Sequence, residues 1–191
     1  MLKGILRSSG AETFSGDLSY KHLAALRPDP DFGRNLAHKI AGLELITTDE
    51  QHLSEMRRHG ERDYPFESCG LMLGRFEPKT KTVLDTYPIS NAREEEAKRN
   101  RFLIRPDELM RGEKYGREKG LDVVGFYHSH PDDRAVPSKY DLDHAWPTYS
   151  YVVVAVTKGQ ATDLRSWEME VDRSKFNEEE ITPSPFGRGL G

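Results

Sequence analysis

The chain has 191 residues, with 28 Lys plus Arg against 32 Asp plus Glu and a formal net charge of −4. At about 150 residues per domain this is one domain with an extension, and the acidic balance excludes a general basic surface for nucleic acid. No apolar run approaches the ~20 residues that span a bilayer, and MLKGILRSSGAETF lacks an apolar stretch of secretory length. The single cysteine, Cys69, excludes an internal disulfide and a cysteine zinc cage. The expectation is a cytoplasmic protein.

Residues 1–42 form an N-terminal extension rich in turn-forming residues (SSGAETFSGD, RPDPDFGR), in which Leu18, His22 and Leu26 share helical spacing. The extension reads either as a partly disordered arm with one short helix or as a plain disordered leader. LELI, at 43–46, is a short strand. Thr48 then offers an N-cap for the helix DEQHLSEMRRHG, with Leu53 and Met56 on its inner face. Residues 69–76 and 82–90 read as two strands joined by the turn EPKTK. NAREEEAKRN is a wet charged loop or helical turn, and RFLIR is a further strand candidate. Pro106, Asp107 and Glu108 open a helix that Gly120 stops. Residues 122–128 and 149–157 are near-continuous apolar strands, as expected where both faces are covered. Residues 164–171 alternate like an edge strand with one wet face. The pattern predicts an α/β (α+β) domain over 43–172, a mixed β-sheet flanked by helices, followed by a frayed C-terminal tail at 173–191.

The chemistry concentrates in GFYHSHPDDRAVPSKYD, residues 125–141. Side chains alternate along a strand, so His128 and His130 project to the same face. Pro131 cannot donate to a ladder, and so ends the strand where the imidazoles are presented. Pro137 to Asp141 resembles a helix N-terminus that brings Asp141 back as an oxygen ligand. Two histidines and one carboxylate leave the fourth tetrahedral position open, the arrangement of a catalytic zinc site. With 7 histidines in the chain, two His, a Ser and an Asp at these offsets arise by chance in roughly one such chain in a thousand.

His128-Ser129-His130-Pro131, six residues, Ser138, two residues and Asp141 resemble the motif of the JAMM (MPN-plus, JAB) metallo-isopeptidases without a departure. YPFESCGLMLG resembles that family's upstream segment, which places its glutamate at Glu67. The resemblance covers about residues 43–172 and implies an MPN/JAB-like fold of the cytidine-deaminase-like sandwich type. It implies one Zn2+ held by His128, His130 and Asp141, Glu67 as general base and then acid, and Ser138 as a donor to the oxyanion. It further implies a zinc metallopeptidase acting after the C-terminal glycine of a ubiquitin-like or sulfur-carrier protein. The short domain looks closest to the compact prokaryotic members. No covalent acyl-enzyme is needed, and Cys69, in an apolar strand, is packing.

Two other functions compete. A zinc deaminase would need cysteine ligands in a P-C-x-x-C context, which this chain lacks. A non-catalytic MPN scaffold in a protein complex is the alternative of a different class, and such members usually lack the ligands that are present here. Ser129 should point away from the metal. His144 reads as part of a solvated helix face, with support of the ligands from one turn along as the alternative. Asp132 and Asp133 belong to a surface loop, where either could contact substrate, and Trp146 and Trp167 to packing.

Overall fold

The structure is a computed structural model that describes residues 45–78 and 80–184. The candidate helix around Leu18–Leu26 lies outside them. The described residues form seven strands and three helices: β1 (Leu45–Thr48), α1 (Glu50–Asp63), β2 (Cys69–Glu77), β3 (Thr80–Ile89), α2 (Pro106–Glu118), β4 (Asp122–Pro131), α3 (Lys139–His144), β5 (Ser150–Thr157), β6 (Gln160–Met169) and β7 (Phe176–Pro183). This is the expected α+β mixed sheet with helices. The sheet also closes on itself in the order β1-β3-β2-β4-β5-β6-β7, because β1 pairs in parallel with both β3 and β7. Among the described residues no helix is long and apolar enough to cross a membrane.

The β5 run is buried on both faces, as its continuous apolar character requires. Val152, Val154 and Val156 join Ile46, Met56, Met72 and Val83 on the face that receives α1. On the other face Tyr151 packs with Leu71, Leu73, Phe126 and Met169, under α2. The α2 helix approaches closely because Gly112 carries no side chain: a Cβ there would lie 2.4 Å from Leu71 Cδ1. In α1 the buried face is His52, Met56, His59 and Gly60, while Leu53 is only half-buried. The His59 imidazole is held between Tyr127 Oη (2.7 Å) and Asp63 (3.1 Å), pinning the helix to β4. A buried ionic cluster lies where the sheet closes. The Lys81 ammonium of β3 stands 3.1 Å from Glu168 and 3.3 Å from Glu179, and donates to Ser150 Oγ at 2.9 Å.

Four expectations change. The N-cap of α1 is Asp49, accepting from the His52 amide at 3.1 Å, because Thr48 is still paired to β7. RFLIR forms no strand. Phe102 and Ile104 do point into the core, but the backbone there bonds locally, Leu103 to the Asn91 side chain and Ala92 to Leu103. β6 is not an edge, since β7 pairs with it over Ser166–Met169. Its first half meets no such partner and keeps the wet face that alternation implies. The partner comes from the supposed tail, where Phe176–Pro183 forms β7. Its glutamates had disguised it: Glu179 turns inward to Lys81 and its neighbours outward.

Candidate metal centre

The site lies at the C-terminal end of β4, where it runs parallel to β5 with His128 opposite Val153 and His130 opposite Ala155. His128 and His130 are buried, with Nε2 atoms 3.0 Å apart. Asp141, brought back by α3, places Oδ1 3.5 Å from His128 Nε2 and Oδ2 3.6 Å from His130 Nε2. Among the described residues these three are the one group of ligand-type side chains converging to within 4.8 Å. Ser138 is the N-cap of α3. Its hydroxyl accepts from the Asp141 amide (3.2 Å) and its own amide donates to Asp141 Oδ2 (2.6 Å), the reciprocal bonds of a capping box. The hydroxyl also donates to Asp141 Oδ2 at 2.7 Å. The cap therefore fixes the carboxylate that faces the imidazoles.

The donors fit a divalent cation. His130 Nδ1 bonds the Arg134 carbonyl at 3.0 Å, so it carries the proton and leaves the Nε2 lone pair facing inward. Two such Nε2 atoms at 3.0 Å repel unless a proton or a cation lies between them. His128 is stacked on Phe102 with ring centroids 4.8 Å apart, and its buried Nδ1 has no partner among the described residues. Two nitrogens and one oxygen are a donor set that suits zinc.

Glu67 lies just before β2 and is 4% exposed. Burial, with the Asp141 charge and against the pull of His130 and Arg101, raises its carboxyl to about 8. Burial holds His128 below the ordinary imidazole range despite Asp141. His130 is raised: the Asp141 hydrogen bond and charge and the Glu67 charge outweigh its burial. Burial would raise Asp141 too, yet His128, His130 and Ser138 carry it well below the usual carboxylate range. Burial lifts the Cys69 thiol, which is inert packing as expected.

The backbone places Glu67 against the metal strand. Ser129 points away from the metal, as alternation predicts, and its Oγ accepts from the Ser68 amide at 2.9 Å while its own amide donates to Ser68 O at 3.1 Å. On the other side the 91–105 strap crosses the site. Lys98 O accepts from the Glu67 amide at 2.8 Å, and Asn91 Nδ2 donates to Glu67 O at 3.0 Å. Asn91 did not stand out in the sequence, for nothing in a charged loop marks which residue turns inward. His144 bonds the Tyr140 carbonyl and stacks on its ring, apart from the ligands. The Trp167 indole donates to Ala135 O at 3.0 Å and supports the loop after Pro131.

A closed mixed sheet that offers two histidines, a capped aspartate and a buried glutamate at one strand end defines an α+β domain of the JAB/MPN class. The chain belongs to the prokaryotic homologs of the JAB domain, whose family pattern matches residues 49–170. It is 36% identical over 102 residues to the desampylase of Haloferax volcanii, covering 53% of this chain and 70% of that protein. It is 33% identical over 101 residues to a probable TtuB-protein conjugate cleaving protease of Thermus thermophilus, covering 53% of this chain and 64% of that one. Among solved structures, a protein from Salinibacter ruber matches 75% of this chain at 36% identity with a TM-score of 0.60 and is covered to 95%. A protein from Desulfitobacterium hafniense matches 73% at 29% identity with a TM-score of 0.64, covered to 93%.

Proposed function

We propose that this protein is a zinc-dependent isopeptidase that hydrolyses the amide bond after the C-terminal glycine of a ubiquitin-like or sulfur-carrier protein. The observation that carries the chemistry is the His128, His130 and Asp141 group beside a buried glutamate whose carboxyl is raised to about 8. The names of the desampylase and the conjugate-cleaving protease support the substrate class. When bound, zinc supplies Lewis acidity, polarising a carbonyl and making water nucleophilic near neutral pH.

The chain's own residues do the rest. Glu67 takes a proton from the attacking water and returns it to the leaving amine, a task suited to a carboxyl that titrates near the working pH. Ser138 is assigned to the oxyanion, giving up the hydrogen bond that it here donates to Asp141. Asp141 stays ionised and His130 keeps its proton on Nδ1. A cleft of about 420 Å³ opens beside the His130 loop, lined by Asp133, Arg134, Val136, Asp163 and Arg165. An extended chain, such as a glycine-rich tail or the segment beyond it, fits such a cleft.

The test is incubation with ubiquitin-like and sulfur-carrier fusions extended beyond a Gly-Gly terminus, with and without a chelator, read by intact mass. Cleavage after the last glycine, lost with chelator and restored by zinc, is the expected result. A folded, zinc-loaded protein that cleaves none of them overturns the substrate assignment.

A further inference from the structure

Asp132 follows Pro131 directly, in the loop that the sequence places at the surface, where it could contact substrate. Its backbone is left-handed, with φ 55°, a conformation unfavourable to any residue with a Cβ although tolerated best by Asn and Asp. Its amide donates to Val156 O at 2.7 Å. Its carboxylate gathers three donors from three separate parts of the fold. Oδ1 accepts from the Lys158 amide of the β5–β6 turn at 2.9 Å. Oδ2 accepts from Tyr64 Oη, just beyond α1, at 2.9 Å, and from Arg99 Nη2 of the strap at 2.8 Å.

Both chain directions from this residue lead to the metal centre. Two residues on, Arg134 O accepts from His130 Nδ1 and so sets that ring's tautomer and angle. The strap that Arg99 anchors carries Lys98, whose carbonyl holds the Glu67 amide, and Phe102, which stacks on His128. An exposed Arg–Asp pair alone would be worth little. Three convergent donors on a left-handed residue form a different kind of object.

We propose that Asp132 is a positioning residue for the metal centre: by joining α1, the strap and the β5–β6 turn to the loop after His130, it orients His130 toward the cation and holds the strap over Glu67. This rests on the zinc assignment above. The two arms separate by experiment. Zinc affinity is measured by competition with a chelating dye, and kcat and KM on a cleaved carrier fusion, for wild type, Asp132→Asn, Asp132→Gly and Arg99→Gln. Asn and Gly both tolerate the left-handed backbone but lack the carboxylate.

Both Asp132 variants are expected to lose about tenfold to a hundredfold in zinc affinity, the usual cost of removing support behind a ligand. Arg99→Gln should lose less zinc affinity than either and lower kcat with KM kept, because it loosens the strap that holds Glu67 and leaves the loop after His130 in place. Asp132 variants that bind zinc as wild type does would overturn the proposal, as would an Arg99→Gln variant that loses as much affinity as they do. If neither Asp132 variant shows a cooperative melt, Tyr64→Phe decides: a smaller but measurable fall in zinc affinity upholds the proposal, and an unchanged affinity sinks it. Wild-type protein that binds zinc and cleaves no carrier refutes the substrate assignment alone, and the affinity comparison stands. Wild-type protein that binds no zinc refutes both.

Discussion

Glu67 and Asp141 are acidic groups of one small site shifted in opposite directions, Glu67 raised by burial and Asp141 lowered by the imidazoles and Ser138. A raised carboxyl makes the metal-free fold hold a proton that the unfolded chain releases. Its contribution to stability is therefore fully present below about pH 4.5 and is lost as pH rises through about 8. In metal-free protein, stability measured by urea melts should fall by a few kcal/mol over that range, and Glu67→Gln should flatten this dependence. The same variant should keep zinc and lose hydrolysis by about a hundredfold or more; zinc-loaded Glu67→Gln that still cleaves would remove Glu67 from the mechanism. At this scale the sequence was most informative where chemistry imposes spacing. His128, His130 and Asp141 could be picked out because two strand positions and a helix cap have fixed offsets. Asp132, Arg99 and Asn91 could not, because what they do depends on partners up to 68 residues away that only the fold brings to them.

At the scale of the elements, local signals held where local physics decides. Pro106 starts α2 and Gly120, with φ 69°, lies just past its end. They failed where a tertiary partner decides. The alternation of Phe102 and Ile104 marks burial correctly, yet no sheet edge was there to receive that backbone. β7 was hidden because FNEEEITP looks wet, and only the ammonium of Lys81, about a hundred residues earlier, explains why Glu179 points inward. That pairing makes a prediction. Lys81→Met removes the ammonium that faces the buried Glu168 and Glu179 and should cost about 3–5 kcal/mol, seen as a lower urea midpoint. Little change would mean that these two ion pairs do not hold the closure together. The loss should be global, since the cluster lies where the sheet closes.

With the proposed zinc bound at its site, the whole molecule couples folding to the ion. His128 and His130 end a central strand and Asp141 returns from a helix, so the ligands converge only in the folded chain, and a cation that binds them stabilises by mass action. At zinc a hundredfold above its Kd the gain is about 2.7 kcal/mol, or about 5–10 °C in Tm for a domain of this size. Chelation should lower the calorimetric Tm by that amount in wild type and leave an Asp141→Ala variant unmoved. An equal shift in both would place the ion elsewhere.

β1 and β7, the first and last strands described, run side by side in parallel, Leu45 opposite Glu180 and Thr48 opposite Pro183. Traction applied at Leu45 and at Pro183 therefore drags the two strands past each other along their length. The load falls on all the rungs of that ladder at once, and they break together rather than one by one. Two of these residues, Ile46 and Thr47, are also paired with β3 on the other side. The domain should thus resist being pulled apart from its ends far better than four residues of strand suggest, with forced unfolding limited by the rupture of this one clasp. Force is borne there, in β1, and not at the strand end that holds the ligands.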